Sequence, residues 1–138
     1  MGKRILVIEP SRTIRAIFSL NVQSVGHQVV LFKDYEAAIA ALPRLCTPPP
    51  DLAFVAVHAD RPKSAQALTG LRALCPQTTL IMMITQEDSR RFAVQRLLGA
   101  VLAVPLLKPF RIQDVLTLVA TPMQTWAKTQ IQERQTER

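Results

Sequence analysis

Short apolar runs alternate with longer segments of helical periodicity along most of this chain, and this alternation constrains the fold more than any other feature. The apolar runs predict strands at residues 5–8, 29–32, 52–57, 80–84 and 101–107. The segments between and after them predict helices at residues 11–25, 35–45, 64–74, 89–98 and 112–126. Strands that alternate with helices form βα units and a parallel sheet, so the chain is expected to be an α/β protein.

Local signals agree with these boundaries. Ser11 is a good helix N-cap, and Gly26 is a good terminator for the same helix. The three prolines at residues 48–50 forbid helix and favour an extended approach to the third strand.

Four residues follow or end the predicted strands at one edge of the sheet. Glu9 follows the first strand, and Ala56 lies at the end of the third. Thr85 and Lys108 end the fourth and fifth runs. In a doubly wound sheet the ligand crevice lies beyond the carboxyl ends of the strands, so these side chains are expected around one crevice.

Three segments together resemble the receiver domain of bacterial response regulators. They are the acid-ending run at residues 4–11, the hydroxyl-ending run at 80–85 and the lysine–proline run at 106–110. The resemblance covers roughly residues 3–120. It implies a flavodoxin-like, doubly wound sheet of five parallel strands in the order 2-1-3-4-5. The expected organisation is a receiver-like domain at 1–120 and a polar C-terminal helix or tail at 121–138.

The resemblance also implies a degenerate phosphorylation pocket. In receiver domains two acids after the first strand hold Mg²⁺, an aspartate after the third strand accepts a phosphoryl group, and a Thr or Ser and a Lys contact the phosphate. Here Glu9 keeps one acid and Pro10 replaces the other. Ala56 falls on the phosphoacceptor, while Thr85 and Lys108 fall on the two phosphate-contacting positions.

Residue chemistry supports this interpretation. Ala56 has no carboxylate to act as a nucleophile. Mg²⁺ prefers several oxygen ligands, and only Glu9 and a backbone carbonyl near His58 are evident, so Mg²⁺ binding is expected to be weak or absent, with no other cofactor. We expect Glu9 to pair with Lys108 instead. A purely structural alternative makes Glu9 a solvated acid and Thr85 a helix cap.

The loop after the third strand and the fifth strand depart from the family pattern. In typical receiver domains a proline follows the acceptor loop, but the corresponding loop at residues 56–62 has a different sequence, AVHADRP. Pro105 stands where an aromatic switch residue is typical. Ordinary switching is therefore not expected. His58 could be a ligand contact, a pH-sensitive group or a solvated loop residue.

Bulk properties narrow the class of protein. The 138 residues suit one domain, and no apolar run approaches the ~20 residues that span a bilayer, so we expect a cytoplasmic protein without membrane insertion. Cys46 and Cys75 lack metal-site spacing and are expected to be reduced structural thiols. The net charge of +7 would attract polyanions, but the arginines are scattered and aromatic content is only 5%, which makes nucleic-acid binding a minority interpretation.

The leading hypothesis is a stand-alone receiver that acts in signal transduction by phosphorylation-independent protein binding and is not an enzyme. The resemblance implies a partner face on the fourth helix, fifth strand and fifth helix (α4-β5-α5), which would bind a signalling protein or a second copy. The alternative is a small anionic ligand such as a cyclic dinucleotide, held by arginines near Phe92 or Phe110. The basic residues assigned to the partner face are Arg90, Arg91, Arg96 and Arg111. A solvated helix face is the structural alternative for Arg90, Arg91 and Arg96.

Overall fold

A five-stranded parallel sheet in the order β2-β1-β3-β4-β5 forms the centre of the computed structural model, which describes residues 2–121. Both the α/β class and the predicted strand order are confirmed. The strands are β1 (Arg4–Ile8), β2 (Gln28–Phe32), β3 (Leu52–Ala56), β4 (Thr79–Thr85) and β5 (Val104–Lys108).

The helices cover both faces of this sheet. They are α1 (Arg12–Ile17, continued by a π-helical turn at Phe18–Val22 and a 3₁₀ turn at Gln23–Val25), α2 (Tyr35–Leu45), α3 (Pro62–Leu74), α4 (Gln86–Ser89), α5 (Phe92–Val101) and α6 (Ile112–Ala120). The predicted caps of α1 are confirmed: the Ser11 hydroxyl accepts a hydrogen bond from the Ile14 N–H, and Gly26 adopts φ 98° after the 3₁₀ turn.

Two predicted boundaries on either side of α5 are wrong. The helix expected at 89–98 is preceded by the separate short helix α4 and starts only at Phe92. The strand expected at 101–107 starts too early, because Val101 completes α5 and Leu102 adopts a left-handed conformation that ends the helix. A continuous apolar run cannot by itself distinguish a buried helix end from a strand.

The two faces of the sheet bury separate apolar layers. Val55 and its face pack under α2, α3 and α5, while Phe54 and Ala56 pack under α1 and α6. Because both faces are covered, the central strand β3 is apolar at every position instead of alternating. All five residues of β3 are buried, including Ala56 at its carboxyl end.

The expectation of reduced cysteines is wrong in this structure. Cys46 ends α2, Cys75 ends α3, and a disulfide joins them. Their Cα atoms are 5.9 Å apart, within the range that a disulfide requires. The sequence places each cysteine at a helix end correctly, but it does not reveal that the two helix ends meet.

Two further predictions concern the chain ends and membranes. Residues 122–138, which include most of the predicted tail and the end of the predicted helix 112–126, lie outside the described residues. Within residues 2–121, no helix is long and apolar enough to cross a membrane.

Candidate functional site

The carboxyl edge of the sheet carries an open cavity of about 380 Å³. It contains four of the predicted site residues, and its lining consists of Glu9, Pro10, Ser11, His58, Asp60, Arg61 and Lys108. Ala56 and Thr85 are not part of this lining. The structure therefore brings the predicted acid, proline, histidine and lysine together, and it places the alanine and the threonine behind and beside them.

Glu9 and Lys108 form a buried ion pair. The Lys108 Nζ lies 2.5 Å from the Glu9 Oε1, and the side chains are 13% and 1% exposed. The other carboxylate oxygen, Oε2, accepts a hydrogen bond of 3.1 Å from the Ser11 N–H. No other described residue donates a hydrogen bond to Oε1, so the lysine charge alone compensates that oxygen. The expected Glu9–Lys108 pair is confirmed, and the alternative of a solvated Glu9 is wrong.

Ala56 sits in the core directly beneath this cavity. Its side chain is fully buried in the same apolar layer as Phe18 and Phe54. Its carbonyl oxygen accepts a hydrogen bond of 2.5 Å from the Tyr35 hydroxyl. Burial, and secondarily the charge of Glu9, raises the pKa of that hydroxyl. Tyr35 therefore stays a neutral donor and fixes the end of β3.

Sequence reasoning missed Tyr35. It is the first residue of α2 and lies just beyond the carboxyl end of β2, at the same edge of the sheet as Glu9. Its place after a strand end was the available signal. A tyrosine at the start of a helix, however, does not indicate which neighbouring carbonyl its hydroxyl will reach.

The cavity residues do not fit a Mg²⁺ ion. Glu9 already faces a lysine, and Pro10 offers no side-chain oxygen. The carbonyl of His58 accepts a hydrogen bond from the Arg61 N–H. Asp60 lines the cavity together with Arg61, so each carboxylate there shares the space with a cation. No group of three or more His, Cys, Asp or Glu side chains suited to a metal occurs within residues 2–121.

Thr85 performs a structural task. Its hydroxyl accepts a hydrogen bond of 3.1 Å from the Asp88 N–H and so caps α4, which confirms the helix-cap interpretation. Asp88 in turn accepts hydrogen bonds from the Ala59 N–H at 3.3 Å and from Arg91 Nε at 3.2 Å. Thr85 thus positions Asp88, whose carboxylate connects the loop after β3 with the residue before α5.

The predicted basic residues do not share one role. Arg90 and Arg91 precede α5 and do not lie within it. Arg96 lies on α5 with its guanidinium carbon 5.8 Å from the centre of the exposed Phe92 ring. The backbone N–H of Arg111 donates to Asp114 and caps α6.

Phe110 packs into the core and does not form a free stacking platform. Its ring meets that of Phe18 edge-on, with 6.5 Å between the ring centres. It is one of the partly buried residues of the layer under α1 and α6. Of the two aromatic residues suggested for a cyclic dinucleotide, only Phe92 is therefore exposed.

Several solved structures with a similar architecture are receiver domains. The chain is similar to a CheY-like response regulator receiver domain protein from Methanospirillum hungatei (16% identity, TM-score 0.76, covering 94% of this chain and 99% of the other). It is similar to the chemotaxis protein CheY4 of Vibrio cholerae (21%, 0.68, covering 86% and 96%). A third is the receiver domain of a LuxO repressor protein from Vibrio parahaemolyticus (18%, 0.69, covering 100% and 99%).

No family model matches the sequence, and no curated protein matches it either. At sequence identities of 16–21%, the similarity to these structures is one of fold and does not extend to the chemistry of the site. The described part of the chain has the CheY-like receiver fold, with a Glu–Lys ion pair and a buried alanine at the edge of the sheet where the strands end.

Proposed function

We propose that this protein is a receiver-fold module that acts in signal transduction by binding another protein, without aspartyl phosphorylation and without catalytic activity of its own. The observation that carries the proposal is the residue at the end of β3. The resemblance to receiver domains assigns Ala56 to the phosphoacceptor position, and the methyl group of Ala56 is buried at the end of β3. A methyl group has no lone pair with which to attack phosphorus.

The neighbouring contacts support a pocket whose side chains have partners in the absence of phosphate. Lys108 reaches Glu9 directly. The Tyr35 hydroxyl holds the carbonyl of Ala56. Thr85 is engaged in capping α4. Lys108 and Thr85, the two residues that the resemblance assigns to phosphate contact, therefore already have intramolecular partners.

The proposed partner surface is the face formed by α5, β5 and α6, which is the α4-β5-α5 face in receiver numbering. Phe92 on this face is 74% exposed, and Leu107 of β5 is also exposed. Arg96 stacks on Phe92, and Arg91 lies just before it. An exposed aromatic ring beside arginines is typical of interface centres, so the partner is proposed to be a signalling protein, or a second copy, with an apolar patch flanked by acids.

The first prediction concerns phosphorylation. Incubating the full chain with acetyl phosphate and Mg²⁺ is expected to leave its intact mass unchanged, because no carboxylate occupies the acceptor position. A receiver domain that carries an aspartate there serves as the positive control. Stoichiometric formation of an acid-labile phosphoprotein would overturn the proposed function.

The Ala56→Asp variant, treated in the same way, tests the rest of the pocket. We expect this variant to gain less than about 0.5 kcal/mol of stability from ~10 mM Mg²⁺, because Pro10 supplies no second acid and Lys108 competes for Glu9. Ready phosphorylation of this variant, with dimerisation, would mean that the switching machinery is intact apart from the acceptor.

The second prediction concerns the partner face. With the full chain as bait in nuclease-treated host lysate, we expect a discrete protein to remain bound at moderate salt. Phe92→Asp is expected to weaken its binding by at least about 2 kcal/mol, because a central aromatic contact is lost. Leu20→Asp is the matched control, since Leu20 is 71% exposed and lies in the π-helical turn after α1, away from this face. Equal losses for both variants, or retention of nucleic acid alone, would contradict the proposed surface.

A further inference from the structure

A second cavity of about 420 Å³ opens between the start of α3 and one side of α5. It differs from the cavity at the strand ends, although His58 and Arg61 line both. The proposed function assigns this cleft no role. Its walls come from the loop after β3, α3 and α5, and the lining consists of Val57, His58, Ala59, Arg61, Pro62, Ala65, Ala93, Val94, Arg96, Leu97 and Ala100.

Small side chains create the cleft. Four alanines line it, two of them on α5 and one on α3, where longer apolar residues would fill the space between the helices. Val57, Val94 and Leu97 form an apolar wall and floor. The volume falls within the ~300–1,000 Å³ that small-molecule sites occupy. The shape and lining therefore suit a compact apolar body.

Two cations give the cleft a charge preference. Arg61 and Arg96 both line it, and no carboxylate does. Within residues 2–121 neither guanidinium forms a salt bridge, whereas Arg91 is paired with Asp88. A guanidinium binds carboxylate, sulfonate or phosphate oxygens in a fork of two hydrogen bonds, so an anionic group at the rim would complement both arginines.

We infer that the cleft between α3 and α5 binds a small amphipathic anion. Its apolar body lies along the alanines, Val94 and Leu97, and its single anionic group is held by Arg61 and Arg96. A volume of about 420 Å³ favours a small molecule over a peptide segment, which would need a longer groove. The inference does not rest on the proposed function, because it does not involve Ala56, although Arg96 belongs both to this cleft and to the face around Phe92.

The test compares two fluorescent probes that share one apolar body. Anilinonaphthalene sulfonate carries one anionic group, and phenylnaphthylamine lacks it. Titrating the full chain with each is expected to show one site for the sulfonate and at least about tenfold weaker binding of the neutral probe, because charge-assisted hydrogen bonds are lost. Equal affinities, or binding at several sites, would overturn the inference.

Charge variants locate the anionic group. Arg61→Gln and Arg96→Gln are each expected to weaken sulfonate binding about tenfold and to leave binding of the neutral probe unchanged. Arg90→Gln is the matched control, because Arg90 is exposed just before α5 but does not line the cleft. An equal loss with Arg90→Gln would show that only general surface charge attracts the probe, and would overturn the inference.

Filling variants locate the apolar body. Ala93→Leu and Ala65→Leu should abolish binding of both probes, while Ala40→Leu on α2 should not. Far-ultraviolet circular dichroism checks that each variant is folded, and the two filling variants, on different helices, guard against a single misfolded protein. Unchanged binding in both folded variants would overturn the inference. A third outcome would also overturn the inference: neither probe binds the cleft, but a short capped peptide of alternating leucine and aspartate does. That result would assign the site to a protein partner.

Discussion

Replacing Lys108 with alanine is expected to lower the free energy of unfolding by about 3–5 kcal/mol, because it leaves a buried carboxylate without its cation. Glu9 is 1% exposed, and apart from Lys108 only the Ser11 N–H contacts its carboxylate among the described residues. From the sequence alone this pair resembles a modest surface contact. Its burial makes the loss of one partner far more costly. Urea unfolding of the two proteins, followed by circular dichroism, measures the difference.

The structure provides a matched control for this effect. Lys63 and Glu36 also form a salt bridge, but at 3.9 Å and with side chains 52% and 73% exposed, so Lys63→Ala is expected to cost less than about 1 kcal/mol. Adding Glu9→Gln to Lys108→Ala should recover part of the loss, because a neutral amide can still accept from the Ser11 N–H. A loss for Lys108→Ala no larger than that for Lys63→Ala would contradict the buried pair.

The same ion pair shows how far sequence reasoning reaches in this fold. Parallel strands place their carboxyl ends at one edge, so locating the strands puts Glu9 and Lys108 at the same edge of the sheet. Because β3 and β4 lie between β1 and β5, the expectation that the two side chains meet also needed the resemblance to receiver domains. The helix cap by Thr85 follows from equally local chemistry. Predictions of this kind succeed because sheet topology or nearest-neighbour hydrogen bonding determines them.

Contacts and spaces that depend on how a helix packs against a distant part of the chain are outside that reach. Tyr35 meets Ala56 across 21 positions of the chain, and nothing in either segment indicates the pairing. The cleft between α3 and α5 likewise depends on how far apart two helices lie, which alanine spacing does not specify. Arg61 lines both cavities, but the sequence does not identify it as a site residue, because its position depends on this packing.

The disulfide between Cys46 and Cys75 belongs to this second class and supports a prediction of comparable size. It closes a loop over a sequence separation of 29 residues and joins the ends of α2 and α3 on one face of the sheet. Restricting a loop of that length in the unfolded chain is worth about 3.5 kcal/mol. Reduction is therefore expected to lower the free energy of unfolding by roughly that amount, measured in urea with and without a phosphine reductant.

The Cys46→Ala variant is the control for this experiment, because it cannot form the bridge and leaves the fully buried Cys75 in place. The free energy of unfolding of this variant should be lower than that of the oxidised wild type, and it should not change when reductant is added. Thiol titration of the urea-unfolded wild type should detect no free thiol before reduction and both cysteines afterwards, since Cys46 and Cys75 are the two cysteines of the chain. A wild type that shows both free thiols without reductant, and no stability change on adding it, would contradict the disulfide and return both residues to the reduced state that the sequence alone predicts.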